Sequence, residues 1–357
     1  MSPNEERDFL DGLDFNADDF FQTILANVNS RKSESFDPSD KANIFNVIEK
    51  TVGFTALDRM VFATLFDWVV IELKKGIASK SEDQVEKYNM MISLGTLFSD
   101  HGQFEEAGEL FSVCVEGFTR LYGVDSYDSL RSMAKLTHVY SSSDRLEEAA
   151  LLGEKALEAY KRVQGVDHQS TLVCMNTLAH VYREQRRLDE AESLFVENLE
   201  IAKRKFRDDD PFVLDVMDSL GMVWYYQMKQ EEAEEILVEC VEGSRKVRGV
   251  NHPKTVQTMA LLALVYDSRN QIDKAVEMTL ECWEIEKRNY GADHPDTLIT
   301  MYNLASLYRR QYRNEEAKAL LEECWESSAR VQGEQNSFTE LVLTALNEVI
   351  QQESVEE

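Results

Sequence analysis

The stretch Met301-Tyr302-Asn303-Leu304-Ala305-Ser306-Leu307-Tyr308, followed by Glu315-Glu316-Ala317, decides the fold, because its residues recur along the chain at one interval. Methionine stands at Met91, Met133, Met175, Met217, Met259 and Met301, one every 42 residues. Three residues after each comes Leu94, Leu136, Leu178, Leu220, Leu262 and Leu304, and four further on an aromatic: Phe98, Tyr140, Tyr182, Trp224, Tyr266 and Tyr308. Alanine closes the pattern at Ala107, Ala149, Ala191, Ala233, Ala275 and Ala317. A fixed period of this size is the mark of a helical repeat array. Spacings of three and four place the Met, Leu and aromatic columns on one face of a first helix.

The residue after each leucine is small (Gly95, Thr137, Ala179, Gly221, Ala263, Ala305), which lets a second helix approach closely. Acidic residues before the alanine column open that second helix, where carboxylates favour the positive end of the helix dipole. The second helices close at Gly123, Gly165, Gly249, Gly291 and Gly333, and a left-handed glycine is the expected stop. The third repeat has Arg207 in place of that glycine, at an expected cost of about 1 kcal/mol if it turns left-handed. Pro211, Pro253 and Pro295 suit the first position of the next helix. Leu343, Leu346 and Ile350 carry the three columns one helix further, predicting a capping helix over about 338–351.

The rest of the composition agrees. The chain has 357 residues, of which 43% are hydrophobic and 29% charged, with few helix breakers at 5 prolines and 15 glycines. A net charge of −28 repels phosphates and anionic membrane surfaces, so nucleic acid and membrane insertion are not expected. The first residues are acidic where a secretory signal is basic and then apolar. With five cysteines this points to a reducing, cytoplasmic setting. Cys114, Cys240, Cys282 and Cys324 share one second-helix column, where neighbouring positions lie about 8–10 Å apart. That exceeds the roughly 7 Å reach of a disulfide, and no C-x-x-C suggests zinc, so these cysteines read as core. His168, His252 and His294 lie in the turns and read as caps. No motif of a nucleophile elbow, phosphate loop or zinc protease is present, so no cofactor and no enzyme are expected.

The quoted stretch, together with Gly291-Ala292-Asp293-His294-Pro295-Asp296-Thr297-Leu298, resembles the tetratricopeptide repeats of kinesin light chains and similar bacterial and fungal arrays, over about residues 89–350. The resemblance implies an all-α, right-handed superhelical solenoid of antiparallel helix pairs. It also implies a concave groove lined by the first helices, where an asparagine before the leucine column clamps an extended peptide. Asn303 matches that slot; Lys135 occupies it in the second repeat, and Asn176 lies one residue earlier in the third. His138 and His180 share a column that in the family faces the groove, as do Arg183, Tyr225, Tyr302 and Arg309, with Arg310 nearer the rim. Simple packing or a shared metal are the other readings of the two histidines. A cationic and aromatic inner face in an acidic body would draw acidic-aromatic peptide segments.

The N-terminal residues follow a different pattern. Residues 1–36 read as an acidic disordered tail, in which Phe9 to Asp19 has the charge to compete for the groove. Residues 37–88 read as a helical cap, with helices ending near Val52 and running from about Ala56 to Lys75. Six hairpins over 89–341 follow, then the end of the capping helix over 342–351 and a disordered tail over 352–357. Sustained heptads are absent before the repeats, so attachment to a motor by coiled coil is not expected. The function this predicts is a scaffold or adaptor that binds partner proteins. An accessory or regulatory subunit of an enzyme is the alternative.

Overall fold

The structure is a computed structural model that describes residues 54–356, with side-chain surroundings over 63–351. The acidic tail expected over 1–36, and the cap helix expected to end near Val52, lie outside the described residues. Fourteen helices and no strand are present among the described residues. They are α1 Phe54–Ser79, α2 Val85–Asp100, α3 Phe104–Tyr122, α4 Tyr127–Ser142, α5 Leu146–Val163 and α6 Gln169–Glu184. After these come α7 Leu188–Lys205, α8 Pro211–Tyr226, α9 Gln230–Val247, α10 Pro253–Ser268, α11 Ile272–Tyr290, α12 Pro295–Arg310, α13 Asn314–Gln332 and α14 Ser337–Glu356. First helices therefore begin every 42 residues from Val85 to Ser337. The helices divide into two compact units, one ending at Glu184 and one starting at Gln185.

Within each unit consecutive helices pack as antiparallel pairs, and the columns read from the sequence form the seam. Phe111 fills the space left by Gly95, where an added Cβ would lie 2.7 Å from its ring. Leu237 does the same at Gly221, again at 2.7 Å. All five cysteines are buried and free. The expected cysteine column lies on the same seam: Cys114, Cys240, Cys282 and Cys324 are fully enclosed, and each thiol meets a first-helix carbonyl 26 residues back. In the first unit α1 lays Val69 and Leu73 against the core of the first hairpin, where Tyr88, Phe111 and Phe118 are buried.

Two kinds of turn link the helices. Between repeats the glycines adopt φ of +89° to +95°, and ψ at Gly123, Gly291 and Gly333 is 154° to 163°. This lies beyond the expected left-handed helical region, in an extended region that is essentially closed to other residues. The third repeat meets the same need differently: Phe206 ends α7 in an ordinary extended conformation (φ −114°, ψ 170°), and Arg207 does not turn left-handed. The turn bond survives, because Asp210 N–H donates to the Arg207 carbonyl at 2.9 Å, as Ser126 N–H does to Gly123 at 3.2 Å. Asp210, His252 and His294 then cap α8, α10 and α12, each accepting from the backbone N–H two residues on, with proline at the first turn.

In the first, second, fourth, fifth and sixth repeats the first helix ends in a Schellman turn. The second-helix N-cap N–H donates back to the carbonyl of the aromatic column, as in Lys229 to Trp224 and Gln271 to Tyr266, at 2.9 and 2.8 Å. The residue before that N-cap is left-handed. Only the first repeat has glycine there (Gly102); the others use Asp144, Arg186, Met228, Asn270 and Tyr312, all near φ +60°.

The terminal helix departs from expectation in two ways. α14 runs to Glu356, so the tail expected over 352–357 is helical through that residue, as a run without glycine or proline allows. Its register also changes meaning: Leu346 is buried with Val342, Ala345 and Val349, but Leu343 and Ile350 are 38% and 41% exposed. In earlier repeats those two columns are covered by a following helix.

Candidate functional site

The sequence placed candidate residues along first helices, and the structure gathers four of them into one cleft of the first unit. His138 on α4 and Asn176, His180 and Arg183 on α6 line a space of about 730 Å³, with Ser141, Asp144 and Glu184 at its margin. The arrangement follows from local rules. α4 and α6 are neighbouring first helices. Residues 42 apart, such as His138 and His180, thus take equivalent positions on adjacent rods, and Asn176, His180 and Arg183 follow one face of α6 at steps of four and three.

The cleft is polar and mixed in charge. Part of the His138 ring is exposed, but the walls around it strip enough water that burial, followed by the nearby Lys135 ammonium, lowers its pKa; Asp100 acts in the opposite direction. His138 is thus held toward its neutral form, able to donate and accept one hydrogen bond each. Arg183 donates to Glu184 at 2.5 Å. The Oδ1 of Asn176 is buried with no hydrogen-bond partner among the described residues. An unpaired buried acceptor costs about 1–3 kcal/mol, which a donor from a bound molecule would recover.

The remaining candidates are dispersed. Lys135 is engaged outside the cleft, donating to Thr96 Oγ1 at 2.9 Å and lying over the Phe111 ring. In the second unit Tyr225 packs against Tyr226 at 5.8 Å. Tyr302 meets the Phe338 ring edge-on at 6.1 Å, part of the terminal core. Arg309 donates to Glu348 of the terminal helix at 2.9 Å. Arg310 pairs with Asp267 and donates to Asn270 Oδ1 at 3.1 Å. Asn303 lines a separate cavity with Arg310.

The ion pairs alter the expected electrostatics. Arg183, Arg309 and Arg310 each already face a carboxylate. No group of three or more His, Cys, Asp or Glu among the described residues has the arrangement of a metal site. Nor is any helix among the described residues long and apolar enough to cross a membrane. Sequence reasoning missed Ser141, Asp144 and Glu184. Ser141 was discoverable, since it shares the column of Arg183.

Paired helices, Schellman turns and a polar cleft on the first helices define a helical-repeat protein. Tetratricopeptide repeat profiles match residues 86–162, 152–204, 170–242, 224–285 and 297–336, and the chain belongs to the tetratricopeptide repeat family. Among solved structures it is similar to a kinesin light chain-like array of nearly identical TPR-like repeats from Podosopora anserina. The identity is 26% over 57% of this chain and 96% of that one, with a TM-score of 0.53. It also shares its fold with BtubC (BKLC) from P. vanneervenii, at 20% identity, covering 66% of this chain and 94% of that one, TM-score 0.57. The apo form of RapI matches at 13% identity over 74% and 98%, TM-score 0.51. No curated protein matches the chain.

Proposed function

We propose that the chain is a protein-interaction scaffold that receives a partner segment in the cleft of His138, Asn176, His180 and Arg183. The observation that carries this is the buried, unpartnered Oδ1 of Asn176 in a wall of that cleft. An extended peptide supplies backbone N–H donors at close intervals, and membership of a family of helical repeats supports a protein as the ligand.

The partner segment carries an acidic residue, which meets Arg183 by displacing Glu184. This exchanges one exposed ion pair for another, so its net gain is small and falls with salt. The test is affinity purification from cells with the intact chain, Asn176→Ala and Arg183→Gln, followed by titration of purified chain with a peptide from the dominant prey. Asn176→Ala should weaken binding by about tenfold, and Glu184→Gln should strengthen it. Binding indifferent to all three changes would place the partner elsewhere.

A further inference from the structure

The last described helix, α14, is packed on one side and open on the other. It lies against α13, with Val342, Ala345, Leu346 and Val349 buried in a core that holds Met301, Leu321 and Cys324. Leu341, Leu343 and Ile350 stay exposed. Leu343, Leu346 and Ile350 follow one another at steps of three and four, so they form one stripe along the helix. These are the columns that a second helix covers in each of the six repeats.

The covering helices show what such a stripe demands of the helix laid over it. Gly95 and Gly221 face the bulky Phe111 and Leu237, each 2.7 Å from where a Cβ would stand. In the second repeat the larger Thr137 fills that first-helix column, and the residue opposite shrinks to Gly153, whose added Cβ would lie 3.1 Å from Thr137 Cγ2. The two positions trade volume. α14 carries Asn347 in this column, larger than the Gly, Ala or Thr of the six repeats. By the same exchange, a helix lying over Leu343 and Ile350 must present glycine to Asn347. That glycine also bares backbone carbonyls, whose second lone pair can accept from the Asn347 amide.

Charge narrows the occupant further. The sequence of α14 holds four glutamates and no lysine or arginine. Glu340 and Glu348 both stand at the exposed face, the second also accepting from Arg309. A second copy of the chain would bring a net charge of −28 against a net charge of −28.

We propose that the open face of α14 docks one basic amphipathic helix of another protein, with aliphatic residues along Leu343 and Ile350, glycine opposite Asn347, and lysine or arginine beside Glu340 and Glu348. The occupant is a formed helix, not an extended segment, and the His138 cleft plays no part in its capture.

The probe is a peptide with the sequence of α5, residues 146–163, which already carries the glycine that faces Thr137. Glu147, Glu148, Glu154 and Glu158 are changed to lysine, and a hydrocarbon staple on the outer face holds a helix too short to persist alone. It is titrated into the full chain with methyl-labelled Leu and Ile, followed by NMR. The signals of Leu343, Leu346 and Ile350 should shift saturably, with a dissociation constant on the order of 100 μM that rises about tenfold between about 50 and 300 mM salt. A Gly153→Leu peptide should bind about tenfold more weakly. On an Asn347→Ala chain that preference should reverse, because Ala305 and Leu321 share these columns in the sixth repeat.

Leu343→Gln with Ile350→Gln should abolish binding while the methyl signals of the other helices stay in place. Equal binding of both peptides to the intact chain, a preference unchanged by Asn347→Ala, or no shift at α14 would each overturn the proposal. So would equal binding of the stapled peptide with its four glutamates kept. Sedimentation of the chain alone completes the test: a dimer that Ile350→Gln dissociates would make a second copy the occupant and overturn the basic partner.

Discussion

The Cys240 thiol donates to the Leu214 carbonyl at 3.2 Å, tying the second helix of its hairpin to the first turn of the helix before it. The same contact joins Cys114 to Tyr88, Cys282 to Val256 and Cys324 to Leu298. Burial pushes each of these thiols, and Cys174, up to about 12. Thiolate is the reactive form, so all five should resist alkylation in the native chain at neutral pH. All five should react once it is unfolded in denaturant. Mass spectrometry after a short iodoacetamide pulse checks this, and one fast-reacting native thiol would contradict it.

The tightness of that seam predicts an asymmetric response to size. Cys240→Ala leaves the alanine that Ala156 already places in the same column, whereas Cys240→Leu forces atoms between α8 and α9. The first should change stability little and the second should cost about 1–3 kcal/mol. Denaturant midpoints of the two variants, compared with the intact chain, measure the difference.

Glu286 occupies a second-helix column filled elsewhere by Phe118, Tyr160, Ala202, Ser244 and Ser328. Only 8% exposed, it leaves Oε2 without a hydrogen-bond partner among the described residues. Burial raises its pKa, opposed by the Thr300 hydroxyl and helped by Asp296. A raised folded pKa means the unfolded state loses its proton first. Stability from this group is therefore full below the unfolded value, roughly 4.3, and declines as pH rises through the folded value. Glu286→Gln should remove that decline and stabilise the chain at neutral pH. Thermal melts across pH 4–8 check both, and a variant that is less stable at neutral pH would refute the assignment.

The five left-handed residues between first and second helices carry a cost of about 1–2 kcal/mol each, of which a glycine would return part as chain entropy. Met228→Gly and Tyr312→Gly should therefore each stabilise by about 0.5–1 kcal/mol, read as a higher denaturant midpoint. Asn270→Gly should gain least, since asparagine tolerates this conformation.

Much of the fold was legible because its determinants are local and repeated. The Met, Leu and aromatic columns, the small residue behind Gly95 and Gly221, and the histidine and proline at 252–253 and 294–295 each state a geometry that recurs. The Schellman turns were not legible, since their left-handed position is filled by Asp144, Met228 and Tyr312, residues that do not announce it. The hydrogen bond back to the aromatic column imposes the conformation on whatever side chain stands there. The exposure of Leu343 and Ile350 escaped because a column's burial depends on the helix that follows, not on its own residue.

The candidate site was legible in part. Shared columns brought His138 and His180 together, but Lys135, Tyr302 and Arg309 obey the same periodicity and are spent on Thr96, Phe338 and Glu348. A column specifies which way a side chain starts out; it does not specify the neighbour it finds.

The left-handed turn residues have one more use. Met228 and Tyr312 stand 75% and 89% exposed on backbone fixed by its own hydrogen bonds. With every native thiol enclosed, a cysteine introduced as Met228→Cys or Tyr312→Cys would be the single accessible handle on the molecule. A dye or spin probe attached there would ride on a rigid corner, turning the chain into a reporter of its own encounters without stripping any of its native sulfur.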